Sequence, residues 1–379
     1  MSTLFARSEA ATSRRRKLAR MASPVLALSL AVTGCSGVSG VSGDSGGSVT
    51  LVFGHVHSRQ DPSSQQLEKM FEAVEQASGG EIVFEVHYDG SLVANQDTLP
   101  GVANRRADMT WTTPAYFPSE LPLSQAPSLP FLMRTAEEMQ EVLDIVVDES
   151  PALAAEYEDA GVHLVSFMPN PPTVLAGREP IPSLADMAGL QVRSLGDIGV
   201  AVQEAGANAV NLPIQEVYQS LERGLIDAYM GLPMANIPAF SLHEVAPHVV
   251  DTGIGTYSTS AVIINLETWN SLSEEHQRII EDAFRQGSAD YVAATAGVED
   301  EACDTILAAG GTFTVWSGED TEAWREAVGT SAIDRWRSAA ESSGADVDSF
   351  WASFEAALET VQSGSEPTES GIARCAARS

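Results

Sequence analysis

An arginine near the end of a short strand-like run offers the clearest chemistry in this chain. Leu190 to Ser194 reads as a strand, and Arg193 lies close to its carboxyl end. In open α/β sheets ligands gather outside the carboxyl ends of strands. A guanidinium placed there can grip a carboxylate through two parallel N–H···O bonds, which a lysine cannot imitate. The plainer alternative, a surface or salt-bridged arginine, stays open on these residues alone. His55 and His57 are a second candidate, since alternate residues of a strand share a face and two imidazoles could hold a metal. With no third ligand at a readable spacing they read as hydrogen-bonded histidines, and no metal is expected. Gly43-Asp44-Ser45-Gly46-Gly47 spells the surroundings of a serine-protease nucleophile, but that serine needs a folded barrel and upstream His and Asp partners. Here it sits in a Gly/Ser run behind an export-like segment, so it reads as linker. Walker, dinucleotide-fingerprint, His-Glu-x-x-His and Cys-x-x-Cys motifs do not occur, and no cofactor is expected.

The elements around Arg193 are legible from periodicity. Ile214, Val217, Tyr218, Leu221 and Leu225 form one helical stripe after it. Upstream, Val49 to Val56 reads as a strand, and Leu67, Met70, Phe71 and Val74 mark a helix ended by Gly79-Gly80. Ile82 to Asp89 alternates as a strand, Ala107 to Trp111 and Val162 to Met168 follow as strands, and Met139, Val142, Leu143 and Val146 mark a helix between them. Downstream come a strand at Ser258 to Asn265, helical pattern from Ser273 to about Ala309, a strand at Thr312 to Trp316 and two C-terminal helices. This alternation predicts parallel-rich α/β sheets.

The 379 residues suit two domains, and 44% hydrophobic with 7% aromatic content suits a packed core. A net charge of −31 argues against nucleic acid and anionic membrane surfaces as partners. An anionic ligand would need a local positive site working against that field. Residues 1–34 read as an export segment, with Arg14 to Lys17 and Arg20 ahead of an apolar core at Pro24 to Val32. Val32-Thr33-Gly34-Cys35 resembles a lipobox, which would make Cys35 the lipid-bearing first residue of a membrane-anchored, exported protein. Residues 35–48 are a flexible linker. Cys303 and Cys375 could pair or stay free.

LADMAGLQVR, the Gly206-Ala207 step and PIQEVYQSLERGLIDA resemble the solute-binding proteins of TRAP (tripartite ATP-independent) transporters. Asp186, Gly189, Arg193, Glu216, Tyr218, Leu221, Gly224 and Asp227 fall on that family's pattern in order, and the likeness runs from about residue 49 to 361. The resemblance implies an α/β, two-lobed periplasmic-binding-protein-like fold with discontinuous lobes, a hinge and long C-terminal helices. Lobe one would be 49–172 with about 255–300, lobe two 173–254 with about 301–361, and 362–379 a disordered tail. It implies capture of a small organic carboxylate for a TRAP-type membrane permease, without catalysis. A sensor-associated lipoprotein, or a hydrolase or lyase on a similar scaffold, would share these residues.

Arg193 matches the family's principal carboxylate-binding arginine. Two departures accompany it: Thr173 stands where the family often has a second arginine, and Gly231 where it tends to have Asn. Both favour a monocarboxylate with a less polar body over a dicarboxylate. Trp111, Tyr116, Phe117 and Tyr229 are the aromatic candidates to face that body, with ordinary core packing equally open for each. Asp97 falls where the family often carries a polar contact, and His55 and His57 lie where the first strand meets the cleft.

Overall fold

The computed structural model describes residues 48–212, 214–364 and 369–378. The export segment, Cys35 and nearly all of the Gly/Ser linker lie outside the described residues. The strands are β1 (Val49–Gly54), β2 (Ile82–His87), β3 (Met109–Thr112), β4 (Val162–Pro169), β5 (Thr173–Gly177), β6 (Gln191–Arg193), β7 (Asn208–Val210), β8 (Ala228–Pro233), β9 (His248–Asp251), β10 (Thr259–Asn265) and β11 (Thr312–Val315). They sort into a five-stranded sheet, β2-β1-β3-β10-β4, and a six-stranded sheet, β11-β9-β5-β8-β6-β7. The fold is the expected α/β type with two lobes.

Both sheets are mixed rather than simply parallel. β1 pairs in parallel with β2 and β3, and β6 with β7 and β8, but β5 and β10 run antiparallel to both of their neighbours. The reason is topological. Each of these two strands follows a crossing between the sheets, so it enters its new sheet at the edge where its neighbours end. Thr173 accordingly lies opposite Pro233 at the end of β8, and Thr259 opposite Pro169 at the end of β4. These crossings place the carboxyl ends of the parallel strands of both sheets on the side where the chain passes between lobes.

Local sequence explains the helices that cover the sheets. Helix Pro62–Ala77 starts at Asp61, whose carboxylate accepts from Ser63 N at 2.9 Å, with proline in its first turn. Its stripe, Leu67, Met70, Phe71 and Val74, is buried against β1, β3 and Phe284. Each such side chain contributes roughly 1.5–3 kcal/mol on burial. The second sheet packs a similar stripe, Val217 and Leu221, with Ile226 and Tyr229.

Helix Glu274–Ala308 spans 35 residues and belongs to both lobes. Near its middle, Gly287 O accepts from Gln66 Nε2 at 3.0 Å, and Ser288 Oγ donates to Phe167 O at 2.9 Å, which fixes it to the first lobe. Its end buries Ala302, Cys303 and Ile306 in the second lobe's core.

The stretch after that helix departs from the expected division. It forms three helices rather than two, Gly318–Val328, Ser331–Ser342 and Val347–Gly364, and they do not stay with the second sheet. Indole N–H groups tether them in sequence to backbone carbonyls: Trp316 to Ile181 and Trp324 to Ala201 in lobe two, then Trp336 to Pro122 in lobe one. The last helix packs on Ala136–Glu149 and Pro151–Asp159 of lobe one. The tail is not wholly irregular either. Gly371–Ala376 is a helix, and Cys375 is disulfide-bonded to Cys303. Among the described residues no helix is long and apolar enough to cross a membrane.

Candidate functional site

β6 is three residues long, and its neighbours hold it in place. Gly189, at φ +80°, turns the chain into it, and its N–H donates to Gly206 O at 2.8 Å. A β-carbon is strongly disfavoured at that φ, which explains a glycine there. The Asp227 carboxylate accepts from Gln191 N at 2.8 Å, while Asp227 N donates to Gln191 O at 2.8 Å. Gly189, Gly206 and Asp227 therefore serve as the frame that aims Arg193.

Arg193 ends β6 in register with Val210 on β7 and Tyr229 on β8. It is 2% exposed. Its Nε donates to Leu212 O at 3.1 Å and its NH1 to Met230 O at 3.5 Å, the second a long contact. No carboxylate pairs with it among the described residues, in a chain with 52 acidic side chains. Burial lowers its pKa, opposed by the Tyr257 and Tyr116 hydroxyls. A buried cation without a counter-ion carries a desolvation cost that an anion would relieve.

The space beside the guanidinium is defined by Gly231, at φ +92°. A β-carbon on Gly231 would stand 3.8 Å from the Tyr257 hydroxyl and 3.9 Å from Arg193 NH1. The Tyr257 hydroxyl is buried and without a hydrogen-bond partner among the described residues, as is Thr173 Oγ1. Burial raises the Tyr257 pKa, and the Thr173 hydroxyl and the guanidinium pull it back. One guanidinium, two unsatisfied hydroxyls and a glycine that leaves room form a site able to hold a carboxylate. Among the sequence candidates the structure brings together Arg193, Thr173 and Gly231. Tyr116 reaches the same guanidinium electrostatically, and it is 51% exposed.

Sequence reasoning missed Tyr257. It precedes β10 in a loop with no periodic pattern, and only the crossing between lobes carries it to Arg193.

The remaining candidates lie elsewhere. Tyr229 is fully buried in the second lobe's core with Val217, Leu221 and Ile226, so it packs rather than faces a solute. Its register with Arg193 brings the backbone close, but its ring joins the core. His55 and Trp111 meet each other in lobe one at 5.9 Å between ring centroids, with His57 5.1 Å and Tyr88 6.1 Å from His55. His55 is fully buried, and neither ring nitrogen has a partner among the described residues. Burial first, and His57 second, push its pKa down to about 3, against an opposing pull from Asp61. His57 instead turns to Ser63 Oγ at 2.9 Å. Trp111 is buried and touches Tyr291 of the long helix. Phe117 is likewise buried. Asp97 is exposed. The next residue, Thr98, shares a 2.7 Å hydrogen bond with Thr112 at the end of β3, so Asp97 stands near that edge. Among the described residues no group of three or more His, Cys, Asp or Glu could hold a metal ion.

The chain is similar to known proteins. The chain is 28% identical over 250 residues to the ectoine-binding periplasmic protein TeaA of Halomonas elongata, covering 64% of this chain and 72% of that one. It is 25% identical over 240 residues to the monocarboxylate 2-oxoacid-binding periplasmic protein all3028 of a Nostoc species, covering 62% and 65%. The crystal structure of a TRAP periplasmic solute-binding protein from Ochrobactrum anthropi superposes with a TM-score of 0.73 at 28% identity, covering 84% of this chain and 97% of that one. Residues 53–336, well over half of the chain, match the model of bacterial extracellular solute-binding protein family 7, and the chain belongs to that family.

Proposed function

We propose that this protein captures a small organic monocarboxylate outside the cytoplasm and hands it, chemically unchanged, to a TRAP-type membrane permease. The observation that carries the reading is Arg193, a buried guanidinium with carbonyl contacts and no carboxylate partner among the described residues. A ligand carboxylate would supply that partner, and closure of the lobes would strengthen the pair by excluding water. Thr173 and Gly231 offer a hydroxyl and open space where an arginine and an amide would suit a second acidic group. The 2-oxoacid-binding relative favours the same ligand class. Exposed Tyr116 is suited to cover an apolar or aromatic ligand body. Cys35 anchors the mature chain to the membrane through lipid, with the Gly/Ser linker as spacer.

A thermal-shift panel of 2-oxo, branched and aromatic monocarboxylates against C4-dicarboxylates tests the ligand class. Monocarboxylates should raise the melting temperature and be recovered intact. Stabilisation by dicarboxylates alone would overturn the class, and conversion of a bound acid would overturn the transport role.

A further inference from the structure

The C-terminal residues 369–378 sit against the elements that pass between the lobes. Ser370 Oγ caps helix Gly371–Ala376 and donates to Asp251 Oδ2 at 2.5 Å. Asp251 is the last residue of β9, directly before the crossing to β10. Arg374 NH2 donates at 3.0 Å to Glu299, a carboxylate on the long helix that is 6% exposed. Gly371 lies so close to this helix that a β-carbon would fall 2.2 Å from the same carboxylate. Arg378 pairs with Asp300 and Asp304 one turn further along. A covalent link secures the set, because Cys375 is bonded to Cys303 on that helix, 72 residues away in sequence.

A cavity of about 520 Å³ lies behind this strap. Its walls include Thr173 and Gly253 from the two crossings, Thr295 and Glu299 from the long helix, and Arg374 from the strap. The strap therefore touches one crossing and the long helix at once.

We propose that residues 369–378, fastened by the Cys303–Cys375 disulfide, form a hinge brace. The brace holds the Asp251 crossing and the Glu299 turn of the long helix together as part of lobe two, so that lobe motion is taken up on the lobe-one side of these two points. The physical content is simple. A six-residue helix has little stability of its own, and buries few side chains. The disulfide keeps it seated, and seating brings Arg374 to an otherwise unpaired buried carboxylate.

The test needs no ligand. Hydrogen exchange is followed on the full mature chain as wild type, Cys375→Ser and Arg374→Gln, after mass spectrometry of the unreduced protein shows whether both thiols are blocked. Cys375→Ser should speed exchange at least tenfold in residues 251–257 and 295–303, with β1 and β3 unchanged. Arg374→Gln, which keeps the disulfide, should produce a smaller increase confined to 295–303. Faster exchange restricted to 369–378 would overturn the brace, as would a uniform increase over the whole chain. Free thiols at both cysteines in the native, unreduced protein would overturn it before any variant is made.

Discussion

Arg193→Met removes a buried cation while keeping side-chain bulk, and it should act differently on the empty and the loaded protein. In the empty protein the guanidinium is 2% exposed and held by two carbonyls, at 3.1 and 3.5 Å. Taking such an ion out of water costs several kcal/mol. Hydrogen bonds to a charged group return about 1.5–3 kcal/mol each, less for the long one. The two sides nearly cancel, so the ligand-free melting temperature should move by no more than a few degrees, and upward if at all. With ligand the account changes. Losing a charge-assisted contact while the carboxylate stays buried should cost about 2–5 kcal/mol. That corresponds to roughly thirtyfold weaker binding or more, at ~1.4 kcal/mol per factor of ten. Arg193→Lys should recover part of the loss, because the ammonium keeps the charge but not the planar fork. Titration calorimetry with phenylacetate, beside scanning calorimetry of each ligand-free variant, reads both effects. Near-normal affinity in Arg193→Met would refute the site. A collapsed ligand-free melting temperature would show that the guanidinium supports the fold instead.

Three further outcomes follow from the same geometry. Gly231→Asn places an amide in the space shared by Arg193 NH1 and the Tyr257 hydroxyl, so bulky acids should lose at least tenfold in affinity while pyruvate loses less; an equal loss for both would contradict the spatial argument. His55 is neutral in the fold, with a pKa of about 3, whereas in the unfolded chain it takes up a proton near the ordinary imidazole value of 6.5. Stability from this group is therefore complete above 6.5 and falls as pH drops towards 3, by about 2 kcal/mol between pH 6.5 and 5 at ~1.4 kcal/mol per unit. His55→Phe should flatten that part of a denaturation-versus-pH profile, and parallel profiles would refute the assignment. Cys35→Ala should move the protein from the membrane fraction to the soluble one, and unchanged fractionation would rule out the lipid anchor.

Much of this was legible where chemistry is local. The Leu67, Met70, Phe71 and Val74 stripe gave a helix because 3.6-residue periodicity and burial are the same fact seen twice. Arg193 could be placed at a strand end because it is the one basic residue of a short strand-like run and lies near its carboxyl end. What could not be read depends on contacts between distant segments. Tyr257 meets Arg193 only because the chain crosses between lobes just before β10, and this crossing and the one before β5 reverse β10 and β5 in sheets expected to be parallel-rich. Tyr229 looked like a cleft residue close to Gly231, yet its ring lies in the core, and the register of β8 against β5 breaks at Gly231. The tail looked disordered because its own composition is polar. Its order comes from Glu299, Asp300, Asp304 and Cys303, which lie some seventy residues earlier.

A crystal structure of the mature chain with phenylacetate tests the central claim most directly. The carboxylate should lie with both oxygens about 3 Å from the Arg193 guanidinium, beside the Tyr257 and Thr173 hydroxyls and over Gly231. Ligand found elsewhere, with the guanidinium still bound to the Leu212 and Met230 carbonyls, would contradict it.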